Sequence, residues 1–198
     1  MDHPVKLEVE RPERYDRTQL VLRLVIMALM GIVGCTLGWL FAVLYLGLPA
    51  VAAIAIAQRG GAAYLGDLGP RVVRALRWVL ALYAYLGLVT DRPPTSEAEL
   101  GVELDVTPGG DPTTKRALLR LVTSIPAALV LALLGAVSAL AWVVAAVFVL
   151  AVRTVPRALF DYQRGVLRWQ ARLLAYHASL VGRSPLALDT EPAPARAR

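Results

Sequence analysis

Residues 121–152 read LVTSIPAALVLALLGAVSALAWVVAAVFVLAV. These 32 positions hold no charged side chain, and a second block of 34, Leu24 to Ala57, is equally neutral. A helix crossing the ~30 Å hydrocarbon core of a bilayer needs about 20 apolar residues. At ~1.5 Å per residue, 34 residues make a rod of about 51 Å, too long for one crossing even when tilted. Each block is therefore expected to form a transmembrane helical hairpin, over about 18–58 and about 115–153. The turns are expected near Gly34–Trp39 and near Gly135–Ser138. They carry no charge, so hairpins that dip into one leaflet and return are the alternative. Arg23 and Arg120, close to the block ends, are expected to snorkel outward.

The rest of the composition agrees. Of 198 residues, 57% are hydrophobic and 18% charged, against ~45–50% and ~25% in soluble domains. Mean hydropathy is +0.57. A disordered chain, a coiled coil and a disulfide scaffold are excluded; the single cysteine, Cys35, reads as a packing residue. Arg14, Arg17, Arg59, Lys115, Arg116, Arg153 and Arg157 flank the blocks on one side. By the positive-inside rule both termini and the central segment face the cytoplasm. The first 17 residues mix Asp2, Glu8, Glu10, Glu13 and Asp16 with basic residues, which does not read as a signal peptide.

The chain repeats itself. Val5-Lys6-Leu7-Glu8-Val9 recurs 97 residues on as Val102-Glu103-Leu104-Asp105-Val106, and Leu22-Arg23-Leu24-Val25 as Leu119-Arg120-Leu121-Val122. At an offset of 91, Arg77-Trp78 recurs as Arg168-Trp169, Ala84-Tyr85 as Ala175-Tyr176, Arg92 as Arg183 and Pro94 as Pro185. The expected architecture is an all-α membrane protein of two tandem repeats, 1–94 and 102–188. Each holds a strand, a hairpin and an amphipathic interfacial helix, at about 70–89 and about 156–181. A parallel repeat has its twofold axis along the membrane normal. Residues 5–9 and 102–106 are then expected to pair antiparallel as a small cytoplasmic sheet, resting on the helices or on an oligomer because an isolated pair is marginal. Residues 95–101 read as a linker, and 189–198 as a disordered tail.

On the second such helix Arg153, Arg157, Asp161, Arg164, Arg168 and Arg172 share an arc of about 100°. Tyr162, Val166, Trp169, Leu173 and Tyr176 lie across from it. Basic amphipathic helices with this pattern lie in the headgroup plane. Arg71, Arg74, Arg77, Arg157, Arg164, Arg168 and Arg172 are therefore candidate lipid-headgroup contacts. Trp78, Tyr85, Trp169 and Tyr176 are candidate interfacial anchors. A solvated, topology-setting face is the plainer reading of the same stripe. Gly31, Gly34 and Gly38 give spacing suited to close helix contact, within the hairpin or between copies.

No nucleotide loop, metal motif or catalytic signature occurs. His3 and His177 are the only histidines, and no carboxylate lies inside either block. No enzyme, cofactor or metal is expected, and an ion-coupled pump is disfavoured. The basic residues flank apolar segments, which speaks against nucleic acid.

The stretch 153–188, RTVPRALFDYQRGVLRWQARLLAYHASLVGRSPLAL, resembles a bacterial multi-pass membrane-protein family catalogued as a domain of unknown function. Pro156, Arg157, Leu159, Phe160, Asp161, Gly165, Val166, Arg168, Trp169, Arg172, Ala175, Tyr176 and Pro185 carry the likeness, together with Ser124-Ile125-Pro126-Ala127. The resemblance implies a protein of the bacterial inner membrane and supplies no activity. By architecture alone, the paired hairpins are similar to reticulon-type membrane-shaping proteins. The expected function is a non-enzymatic membrane scaffold or accessory subunit. Its partners would be anionic lipids, with the chain a homo-oligomer or a subunit of a membrane complex. A small oligomeric channel or carrier is the alternative.

Overall fold

The computed structural model describes residues 3–34, 37–97 and 100–182. The order is β1 (Val5–Val9), α1 (Arg17–Ile32), α2 (Leu37–Arg59) and a short α3 (Gly61–Ala63). A π-helical turn, Tyr64–Leu68, leads into α4 (Gly69–Leu86). Then follow β2 (Val102–Val106), α5 (Thr114–Thr123), α6 (Ile125–Val152) and α7 (Arg157–His177).

Alternation sets the strands: Val5, Leu7 and Val9 are buried while Lys6 and Glu8 face out. β1 and β2 pair antiparallel, centred on Leu7 opposite Leu104, with Val5 opposite Val106 and Val9 opposite Val102. The expected sheet is present. It is supported from within the chain, β1 packing on α7 and β2 on α4.

The first neutral block breaks where the glycines stand. α1 ends at Ile32, α2 starts at Leu37, and Gly34 takes the left-handed φ of +74°. Cys35 and Thr36, at the centre of this turn, lie outside the described residues.

The second block corrects the expectation. Gly135–Ser138 is not a turn; it lies inside α6, an unbroken helix of 28 residues, about 42 Å long. The interruption is at Ser124 instead. One glycine among Leu, Ala and Val costs a helix only about 1 kcal/mol. Pro126 removes a helical hydrogen bond, and its ring crowds the carbonyl four residues back. Ser124 turns there at φ −93°, ψ −4°.

The elements stack in three layers. The sheet lies on α4 and α7, which pack on each other. On their other side lie α1, α2, α5 and α6. α6 runs antiparallel beside α7: Ala127 and Leu131 meet Leu173 and Val166, and the Tyr162 hydroxyl donates to the Leu134 carbonyl at 2.7 Å. The apolar side of α7 is therefore inside the protein, with Leu173, Leu174 and Ala175 fully buried. It does not lie open to lipid as the amphipathic pattern suggested.

The outer layer inverts the usual rule. Among the described residues, every exposed large hydrophobic side chain lies between Val21 and Ile54 or between Leu118 and Val152. α2 and α6 are each long and apolar enough to cross a membrane. The final part of the second repeat from residue 183, and the tail 189–198, lie outside the described residues.

Candidate functional site

The arginines predicted to touch headgroups divide into two sets. Arg77 and Arg168 grip the sheet: Arg77 Nε donates to the Val102 carbonyl at 2.8 Å, and Arg168 Nε to the Leu7 carbonyl at 3.0 Å. Each fastens one central helix to the strand above it. Burial and the neighbouring Arg164 push the pKa of Arg168 down, while Glu8 holds it up. Arg164 pairs with Asp161 at 2.9 Å and lies over the Phe160 ring at 5.4 Å. Arg77, Arg164 and Arg168 meet in one polar cleft of about 910 Å³, facing Glu8, Glu103 and Asp91. Glu8 and Glu103 stand directly opposite each other across the strands, a like-charge pairing that adjacent cations must offset.

The outward set is Arg71, Arg74 and Arg157, all exposed. Arg74 pairs with Glu97 at 3.1 Å and Arg157 with Asp161 at 3.7 Å. Surface pairs of this kind contribute about 0–1 kcal/mol, so these side chains stay adaptable. Arg172 is half-buried on α7.

The four aromatic anchors are integrated into the packing. Tyr85 is buried, its hydroxyl donating to Gln19 Oε1 at 2.7 Å. Trp78 packs half-buried on the main core. Trp169 packs against the Ala127–Leu131 cluster. Tyr176 meets Thr123 Oγ1 at 3.2 Å.

The largest surprise concerns Arg23 and Arg120, which do not snorkel. Both are buried. Arg23 stacks on Tyr85, 4.4 Å from guanidinium to ring centroid; Arg120 stacks on Tyr176 at 4.5 Å. Arg23 donates to the Thr90 carbonyl at 2.7 Å, just past the end of α4. Arg120 donates to the Tyr176 carbonyl, in the last turn of α7. Each cation thus sits at the negative end of a helix dipole. After each helix the third residue beyond the tyrosine is left-handed, Leu88 at φ 60° and Ser179 at φ 57°. The signal was present in the sequence: Leu-Arg-Leu-Val occurs twice, each copy with an Ala-Tyr to match.

A polar knot lies where α2, α7 and the α5–α6 break meet. His177 Nε2 is 2.6 Å from Ser124 Oγ, and Nδ1 is 2.9 Å from the Tyr45 carbonyl. The carbonyl can only accept, so Nδ1 carries a proton. Burial pushes the imidazole below its ordinary 6.5, and Ser124 Oγ donates its one hydrogen to the Arg120 carbonyl at 2.5 Å. Ser124 Oγ also lies 2.7 Å from the Tyr45 hydroxyl. Because its hydrogen goes to a main-chain carbonyl, Ser124 is not set up as a nucleophile with His177 as its base. Here both side chains are sealed from solvent. They tie the end of α7 to two neighbours.

Beside the knot is an apolar cavity of about 670 Å³ between α2, α6 and α7, lined by Phe41, Ala132, Gly135, Trp142 and Leu167, with Gln163 at its wall. Among the described residues no group of three or more metal-ligating side chains occurs.

These features define a class first: a mainly helical protein with an apolar outer layer, two helices of membrane-crossing length and a small polar head. Residues 114–188 match the model of a family described as Domain of unknown function (DUF4389). The match starts with α5 and takes in α6 and α7. No curated protein and no solved structure matches the chain.

Proposed function

We propose that the chain is a non-enzymatic membrane scaffold or accessory subunit, seated in the cytoplasmic leaflet with its sheet and both termini in the cytoplasm. One observation carries the reading: among the described residues, the exposed large hydrophobic side chains are confined to a single layer, formed by α1, α2, α5 and α6. An apolar face of that extent marks a membrane or partner surface. The flanking arginines set the orientation.

The packing of α6 against α7 bears on depth. α7 carries guanidinium groups along its length, and α6 runs antiparallel beside it. If α6 stood upright through the bilayer, α7 and the charged cleft would share its depth at high cost. Both helices lying along the interface avoids that cost and gives a one-leaflet wedge, the form suited to shaping membrane. The two halves are read as copies of one unit about a twofold through Leu7 and Leu104. The symmetric strand register and the two Arg–Tyr stacks support this. Arg71, Arg74 and Arg157 meet anionic headgroups, each worth roughly 1 kcal/mol near the surface. The outer layer also serves contact with further copies or with a membrane complex.

Flotation with vesicles tests the reading. Replacing Arg71, Arg74 and Arg157 with Glu lowers retention on phosphatidylglycerol vesicles at least tenfold and leaves neutral vesicles unaffected. An unchanged preference for anionic vesicles rejects the headgroup role. Spin labels at positions 129, 140 and 152 report equal depth if α6 lies along the interface. A graded depth means that it crosses.

A second reading, a carrier for a small apolar molecule, is favoured by the 670 Å³ cavity. Gly135 faces open space there, so Gly135→Phe fills it. Loss of fatty-acid-analogue binding in that variant supports a carrier.

A further inference from the structure

We infer that a pocket beside α5 binds a phosphate group, with Arg120 as its main ligand. The argument is a comparison of the two Arg–Tyr stacks. At the first, the Arg23 cation is neutralised within the chain: Asp91 Oδ1 accepts from it at 2.8 Å. The other oxygen, Asp91 Oδ2, accepts the backbone N–H of Asp16 at 2.8 Å. Asp16 is the N-cap of α1. The carboxylate therefore bridges a guanidinium and a helix start.

At the second stack the same parts recur without the acid. Arg120 takes the place of Arg23, and Thr113, the N-cap of α5, takes that of Asp16. Asp91 is six residues past Tyr85, and six residues past Tyr176 stands Gly182. Arg120 is only 8% exposed. Among the described residues no carboxylate pairs with it. Its contacts are the Tyr176 carbonyl and ring, and Arg116 adds a second positive charge nearby. A buried cation without a counter-charge is costly.

The space that an anion needs is there. A pocket of about 270 Å³ opens between Arg116, Arg120, Thr123, Tyr176 and the Gly109–Gly110 and Gly182 backbones. Asp111 stands at its rim, and Arg116 donates to the Asp111 main-chain carbonyl at 3.3 Å. The ligand class is thus a small oxyanion able to take charge-assisted bonds from guanidinium groups. Phosphate fits, as a lipid headgroup or as a free ion. The headgroup source rests on the membrane seating proposed above, because exposed Leu119 lines the same pocket. The free-ion source does not.

Gly182→Asp tests the site. A side chain there meets only ordinary contacts, the nearest atoms lying 3.9 Å from its Cβ. The variant supplies the missing carboxylate from within. The full chain in detergent is titrated with inorganic phosphate by calorimetry, and phosphatidylglycerol retention is read by native mass spectrometry. The wild type binds one or both probes. Gly182→Asp and Arg116→Ala each weaken that binding at least tenfold, and Gly182→Asp also raises the melting temperature. Arg120→Gln abolishes binding, but it disturbs a buried stack and is read only beside the other two. Phosphatidylglycerol retention that free phosphate does not displace assigns the lipid headgroup. Displacement assigns a shared phosphate site. No binding of either probe by the wild type, or unchanged binding in Gly182→Asp, overturns the inference. Membrane fractionation of the wild type is measured alongside, so that failure of the membrane seating is seen separately.

Discussion

α6 and α7 are antiparallel neighbours, yet they follow opposite rules. α6 leaves Leu129, Leu133 and Leu140 about two-thirds or more exposed. α7 buries Leu173 and Leu174 completely and ties Arg168 to the sheet. Both have apolar positions enough to make a core. The difference is in what covers them. α7 has α4, α6 and the sheet around it, whereas α6 turns most of its circumference outward. Under the proposed seating, lipid completes the packing of α6 as protein completes that of α7.

Substitutions sharpen the contrast, and the largest effect is expected on α6. Leu133→Arg with Leu140→Arg places two charges in the outer layer. For α6 lying along the interface each charge costs less than the about 2.5–3.5 kcal/mol of the bilayer centre, yet both fall on the apolar side and together lower the share of protein in the membrane fraction. Retention there would mean that α6 does not face lipid. Next come single truncations. Leu174→Ala costs about 2–5 kcal/mol, as buried leucines do, while Leu140→Ala stays within about 0.5 kcal/mol in detergent. Equal melting shifts would erase the distinction.

Cutting the tether between α7 and β1 with Arg168→Met removes a charge-assisted bond worth about 1.5–3 kcal/mol. Faster hydrogen exchange in β1 than in α7 is the expected sign. The smallest effect belongs to His177. Its folded pKa lies below the ordinary 6.5, so the unfolded chain takes up the proton first. Stability is full above pH 6.5 and is lost as pH falls below it toward the folded value. His177→Gln flattens that decline in a pH series of melting curves. An identical decline in the variant would assign it to other groups.

How far these features could be read in advance differs by region. The strands were legible because alternation at 5–9 and its echo at 102–106 leave one pairing. The turn at Gly34 was legible because several small residues gather there. The break at Ser124 was hidden because a turn was expected at Gly135–Ser138, the glycine of the second block, while the effect of Pro126 lies near the block's start. The surroundings of α7 were hidden for a more general reason. An apolar stripe has the same pattern whether it meets lipid or another helix. Arg23 and Arg120 looked like boundary charges because their tyrosines lie more than 50 residues away. Ser124 and His177, 53 residues apart, meet only through the fold.

The pairing of β1 with β2 also sets an order of events during synthesis. Val5, Leu7 and Val9 are made well before their partners, of which Leu104 stands 97 residues beyond Leu7. At about 5–20 residues per second, the ribosome takes roughly 5–20 s to supply them. For that interval the first half waits with an unpaired strand at its start. The clasp closes only once Val106 is made, so the N-terminus is the last part of the first half to find its place. A tag fused there would burden assembly more than the finished structure.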